Sequence, residues 1–196
     1  MTQARGPWTI HATRTVYENP WMRVREHEVT QPDGKPSTYG VMSPQQLALA
    51  ILPLHADGSV TLVGQHRFAL DEYSWEIPEG GGQLNGDPLE DAQRELREET
   101  GLRADHWQEV TRLHTSNSIT DERAVGFIAT GLHEGEAEPE GTEVLLTRRL
   151  PFRDAVDEAL SGRITDALTV AMLLQAYYMA QEGLLADALS QAMLRR

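Results

Sequence analysis

Apolar and polar residues alternate with strand-like spacing through the first half of the chain and with helical spacing through the last third. Thr9 to Tyr17 and Met22 to Val29 are rich in β-branched residues. Gln31-Pro32-Asp33-Gly34-Lys35, between Val29 and Tyr39, has the residues of a tight hairpin turn. Leu47 to Leu54 is a nearly unbroken apolar run, the pattern of a strand covered on both faces. Ala56-Asp57-Gly58 makes a further turn and Ser59 to Val63 returns, which predicts a second hairpin. Tyr73 to Ile77 reads as another strand. It runs into Pro78-Glu79-Gly80-Gly81-Gly82, expected to be a loop in which glycines supply positive φ.

The first helix is announced by Asp87 as N-cap, Pro88 at the first helical position and Glu90 at the capping-box position. Leu89, Ala92 and Leu96 form its apolar stripe, and Gly101 stops it. Strands are expected near Val110 to His114, Val125 to Ala129 and Glu143 to Thr147. The last two flank an acidic loop, Glu134 to Gly141. Helices are expected at Phe152 to Leu160, Asp166 to Gln181 and Leu184 to Leu194, with Leu168, Met172, Ala176 and Met179 as a core stripe. Mixed strands and helices of this order predict an α/β domain in layers.

Composition narrows the function. Of 196 residues, 40% are hydrophobic and 24% charged, which is globular usage. The net charge of −13 argues against a nucleic-acid backbone as partner, since such binding needs clustered Lys and Arg. The absence of cysteine removes disulfides, thiolate metal sites and thiol nucleophiles. No run approaches the ~20 apolar residues of a membrane span, and the N-terminus lacks a signal-peptide pattern, so a cytoplasmic protein without membrane partners is expected. His55, His66 and His114 stand singly, without ligand spacing.

Candidate chemistry concentrates on Arg94-Glu95-Leu96-Arg97-Glu98-Glu99. Glu95, Glu98 and Glu99 share neighbouring parts of one helical face, where like charges repel and the C-terminal half of the dipole disfavours anions. A divalent cation held by oxygen ligands, Mg²⁺ or Mn²⁺, would offset both penalties. A solvated face laced by Glu90–Arg94 and Arg94–Glu98 pairs has the same composition.

With Gly80 at its head, the stretch to Leu102 resembles the signature of the Nudix hydrolase family: Gly, five residues, Glu, seven residues, Arg-Glu, an aliphatic residue, any residue, Glu-Glu, any residue, Gly, aliphatic. One position departs, because the first glutamate of the pattern falls on Gly86. In the family that glutamate orients the motif arginine, so Arg94 needs another partner, for which Glu90 or Asp87 is the candidate. Leu62 to Arg67 and Tyr73 to Pro78 look like the ADP-ribose pyrophosphatase branch, as do Asn19 to Val29 and Gly162 to Ala167.

The resemblance implies a Nudix-type α/β/α sandwich with a mixed sheet, plus an N-terminal antiparallel strand layer. The corresponding division is 1–45 for that layer, which in the branch makes a homodimer, 46–182 for the hydrolase domain and 183–196 for a helical extension. It implies Mg²⁺-dependent cleavage of the pyrophosphate of a nucleoside diphosphate sugar, with ADP-ribose giving AMP and ribose 5-phosphate. Metal ligands would be Glu95, Glu98 and Glu99, with a backbone carbonyl of Glu79 or Gly80. Glu98 and Glu99 would also be catalytic, together with Glu143 of the acidic loop as general base, Glu140 being next in line. Arg67 would face the substrate phosphates, Glu76 the terminal ribose, and Arg94 the substrate side of the helix. Asp121 and Glu122 are lesser candidates, and Trp75 reads as core packing. GDP-mannose, a dinucleoside polyphosphate, or a nucleotide-sugar sensor that no longer hydrolyses are the rival readings.

Overall fold

The computed structural model describes residues 2–136 and 144–195. The chain divides into two compact units, Met1–Leu47 with His114–Arg123, and Ala48–Leu113 with Ala124–Arg196.

The first unit is built on an antiparallel sheet in the order β1 (Gln3–Arg5), β2 (Trp8–Glu18), β3 (Met22–Thr30), β4 (Pro36–Pro44). The expected Asp33-Gly34 turn joins β3 to β4. The Gln31 N–H donates to the Lys35 carbonyl at 2.8 Å, and Gly34 takes φ +86°, which favours glycine. Segment 114–123 lies along β4: Met42 bridges Thr120, and the Tyr39 hydroxyl donates to the Ser118 carbonyl at 2.5 Å. Arg25 and Ser43 both donate to Asp121, at 3.0 and 2.9 Å, and Thr115 donates to Glu122. Asp121 and Glu122 are thus bound into the local structure of this unit.

The second unit holds two sheets. One is mixed, in the order β8 (Glu79–Gly82), β5 (Leu47–Pro53), β10 (Arg123–His133), β9 (Arg103–His114), with β10 parallel to β5. The other is antiparallel, in the order β11 (Leu146–Pro151), β6 (Ser59–Arg67), β7 (Glu72–Glu76). Four helices follow the strands: α1 (Pro88–Thr100), α2 (Phe152–Leu160), α3 (Ala167–Gln181) and α4 (Asp187–Leu194). Apolar residues of β5 alternate between the sheet's faces. Ala50, Leu52 and Leu54 join a core with Met172, Leu173 and Ala176 of α3, while Leu49 and Ile51 are buried on the other side. Gly126 of β10 lets α3 pack close, because a Cβ there would meet the Met172 sulfur and the Thr111 methyl and displace them. The mixed sheet between helices is the expected sandwich.

Two expectations are corrected. Leu54 and Val60 meet in a single bridge, but β5 and β6 belong to different sheets, so the second hairpin does not form. Both edges of β5 are taken by β8 and β10, leaving no room for β6. Residues 79–82 form strand β8 rather than a loop, and none of Gly80, Gly81 or Gly82 has positive φ. The C-terminal helix is part of the core: Met193 is buried in it, and a Cβ on Gly58 would overlap the Ala192 backbone. No helix among the described residues is long and apolar enough to cross a membrane.

Candidate active site

Helix α1 and strand β8 bring the carboxylates together. Asp87 caps α1 by accepting the Leu89 N–H at 2.9 Å, and Gly101 ends it in the left-handed conformation at φ 74°. Burial of Ala92 and Leu96 then fixes which face of α1 turns inward. Glu95 points onto Gly80, where any Cβ would overlap its carboxylate. The glycine is therefore needed for close approach of a side chain, not for its φ. Glu99 is buried and accepts the Glu79 N–H at 3.1 Å.

Arg94 organises the acidic face. It donates to Glu98 at 2.7 Å, to Glu95 at 2.7 Å and to the Gly81 carbonyl at 3.0 Å. A further carboxylate near Arg94 is Asp91, whose oxygen lies 3.8 Å from it and which also accepts the Gln83 N–H at 2.8 Å. Asp87 is engaged as the helix cap, so neither it nor Glu90 takes the part of the missing motif glutamate. Burial pushes the Glu95 carboxyl above its ordinary range, Arg94 pulls it back, and Glu98 adds to the rise.

A second group of charges lies beyond Glu79. Burial raises the Glu79 carboxyl well above the usual range, and the Asp166 carboxylate beside it and Glu76 reinforce this. Asp166 caps α3 by accepting the Thr169 N–H at 2.7 Å. Fully buried Thr169 donates to Glu79 at 3.3 Å and accepts the Ile77 N–H at 3.0 Å. Arg67 and Glu76 face each other across β6 and β7. They form a bidentate ion pair, with the Glu76 side chain only 4% exposed and that of Arg67 38% exposed. Trp75 packs against the core with the Arg148 guanidinium 4.4 Å from its ring centre.

Glu76, Glu79, Glu95, Glu98, Glu99 and Asp166 thus surround two arginines. Sequence reasoning missed Asp91, Asp166 and Thr169. The pattern Asp166-x-x-Thr169 opening a long apolar helix was the available signal for the last two. Glu143 and Glu140 lie outside the described residues. Among the described residues, no three His, Asp or Glu side chains converge as they stand to hold an ion. Arg94 bonds to both Glu95 and Glu98 and so lies between them. The donors nevertheless fit a hard divalent cation: all are oxygens, and one carboxylate is seated directly on the Gly80 backbone.

The chain is similar in sequence and in fold to known proteins. A model of the nucleoside diphosphate sugar hydrolase N-terminal domain matches residues 8–42, and the NUDIX domain model matches residues 44–170. An ADP-ribose pyrophosphatase of Mycobacterium tuberculosis is 31% identical over 166 residues, 83% of this chain and 80% of that protein. One from Bacillus subtilis is 31% identical over 144 residues, 72% of this chain and 77% of that protein. The crystal structure of an ADP compounds hydrolase superposes with a TM-score of 0.81 at 20% identity, covering 93% of this chain and all of that one.

Proposed function

The chain belongs to the Nudix family of pyrophosphohydrolases, and we propose that its reaction is the Mg²⁺-dependent hydrolysis of ADP-ribose to AMP and ribose 5-phosphate. Its relation to ADP-ribose pyrophosphatases supports a nucleoside diphosphate sugar as the substrate class. The observation that carries the reading is the seat of Glu95 on Gly80, beside Glu99 holding the Glu79 N–H. Nudix hydrolases generally use divalent metal ions. In this reading Glu95, Glu98 and Glu99 hold the cation, with a carbonyl of Glu79 or Gly80. When bound, it screens the pyrophosphate oxygens and makes water acidic enough to attack.

The protein's own groups do the rest. Arg67 opens from Glu76 to take a phosphate in a bidentate grip, for which its planar guanidinium is suited. Glu76, left with one face free, accepts ribose hydroxyls. Arg94 keeps Glu95 and Glu98 apart and oriented until substrate and cation arrive. Glu98, Glu99 and Glu143 are the carboxylates assigned to proton removal. The strand layer of residues 1–45 makes a homodimer, and the protein works in the cytoplasm.

Incubation with Mg²⁺ and a panel of ADP-ribose, GDP-mannose, NADH and dinucleoside polyphosphates tests the substrate through phosphatase-releasable phosphate. ADP-ribose is expected to be turned over fastest. Turnover of none, with measurable binding, would make the chain a sensor. Glu98→Gln and Glu99→Gln are each expected to lose ~10²-fold in rate. A loss below about twofold in either would remove that residue from the metal site.

A further inference from the structure

Helix α1 has a second polar face. Glu90, Gln93, Arg94 and Arg97, at i, i+3, i+4 and i+7, border a cleft of about 380 Å³ that Arg103 and Trp107 of β9 complete. The charges in it are unevenly matched. Arg94 is taken by Glu95 and Glu98. Among the described residues Arg97 reaches a single carboxylate, Glu98 at 3.9 Å, and its enclosed Nε has no hydrogen-bond partner. Arg103 is exposed and has no carboxylate partner among the described residues. In a chain of net charge −13, two under-paired guanidiniums sharing one concave site form a local positive field. Glu90 is the one carboxylate on the lining, so the cleft suits an anion directly and offers no cation site.

Trp107 adds a flat apolar surface. Its indole N–H donates to the Ala104 carbonyl at 3.2 Å, and its ring meets Phe127 edge-on at 6.2 Å, so the half-exposed ring is held in one orientation. We propose that this cleft is a second ligand site, for a phosphomonoester whose phosphate lies on Arg97 and Arg103 and whose planar group lies against Trp107. A phosphate dianion offers the paired acceptor oxygens that guanidinium forks match. Resting on the hydrolysis proposed above, the natural occupant is the AMP product, the one of its two phosphomonoesters that carries a planar group. Arg94 lines the cleft and also holds Glu95 and Glu98, so an occupant bears on the carboxylates of the candidate active site.

Calorimetric titration of the full chain in EDTA tests this, with inorganic phosphate, AMP and adenosine as probes. Phosphate is expected to bind and adenosine not to. AMP is expected to bind about tenfold more tightly than phosphate, because stacking adds to the anion contact. Arg103→Gln should weaken phosphate and AMP by about tenfold or more, while Trp107→Leu should remove only the advantage of AMP. Arg67→Gln, in the candidate active site, should remove only phosphate bound there and leave the binding that Arg103→Gln weakens. The proposal is overturned by absence of phosphate binding up to about 10 mM. It is also overturned if adenosine binds as well as AMP, or if binding is lost in Arg67→Gln and kept in Arg103→Gln. Turnover of ADP-ribose with Mg²⁺, measured separately, judges the hydrolysis alone. Its absence would leave the phosphate result standing.

Discussion

Gly80 shows how far a single residue can be read from sequence. Its distance from Arg94 marked it as part of the site, and that reading agrees with where Glu95 sits. The reason first assigned to it, positive φ, does not hold, because β8 is extended there. The contact that requires a glycine comes from a side chain fifteen positions along, and local sequence carries no trace of it. Gly80→Ala would therefore meet the end of a flexible side chain rather than a rigid backbone. Glu95 would swing aside and the fold would tolerate the change. We expect kcat/KM to fall by about 10²-fold with little change in melting temperature, as for loss of metal-ligand geometry. Kinetics and thermal melting on the same sample check this, and a folded variant with wild-type kcat/KM would show that Glu95 need not sit on Gly80. Asp91 carries the complementary lesson. The motif's missing glutamate at Gly86 was visible in sequence, but helix geometry, not motif spacing, decided which carboxylate approached Arg94.

At the scale of elements, helices were the most legible part because their signals are local. Asp87, Pro88 and Gly101 bound α1, and α2 runs over the expected Phe152 to Leu160. Pairing of strands is not local: the Asp57-Gly58 turn predicts a β5–β6 hairpin, but parallel β10 claims β5's edge. Connections between elements produce two stability predictions. Thr169, fully buried, receives the Ile77 N–H and so ties β7's end to the start of α3. Thr169→Val keeps the shape and strands that N–H, and should cost about 1–3 kcal/mol in denaturant unfolding. Met193 lies in the core cluster, so α4 packs on its own unit. Met193→Ala should cost about 2–5 kcal/mol, against under ~0.5 kcal/mol for a change at the exposed Gln191. A negligible loss at Met193 would mean that α4 does not contribute to this core.

For the whole molecule, acid sensitivity follows from two histidines. Burial lowers His27, helped by Arg5 and Arg25, and burial lowers His55, helped by Arg149. Each is thus a weaker base when folded than at the ordinary value of 6.5. Between the folded value and 6.5 the unfolded chain binds more protons, so stability is complete above that window and falls as pH drops through it. Melting temperature should decline from pH 7.5 to 5.5, and His27→Gln should flatten the decline. The largest question at this scale is the number of chains. From His11 to Glu18, β2 is exposed on both faces, and Val16, Tyr17 and Trp21 of the same unit are 48%, 52% and 69% exposed. A strand that projects large apolar side chains into water on either side is unfavourable alone, and contiguous patches of this kind mark contact surfaces. A stable interface needs roughly 800 Å² per partner, which a strand of this length and its neighbours can supply. Light scattering after gel filtration should therefore give twice the 21.9 kDa chain mass. Trp21→Glu replaces the most exposed of these three side chains with a charge and should give the single-chain mass, with melting of the second unit's core left in place. A wild-type chain that elutes at 21.9 kDa at micromolar concentration would leave those exposed side chains to some other contact and end the dimer reading.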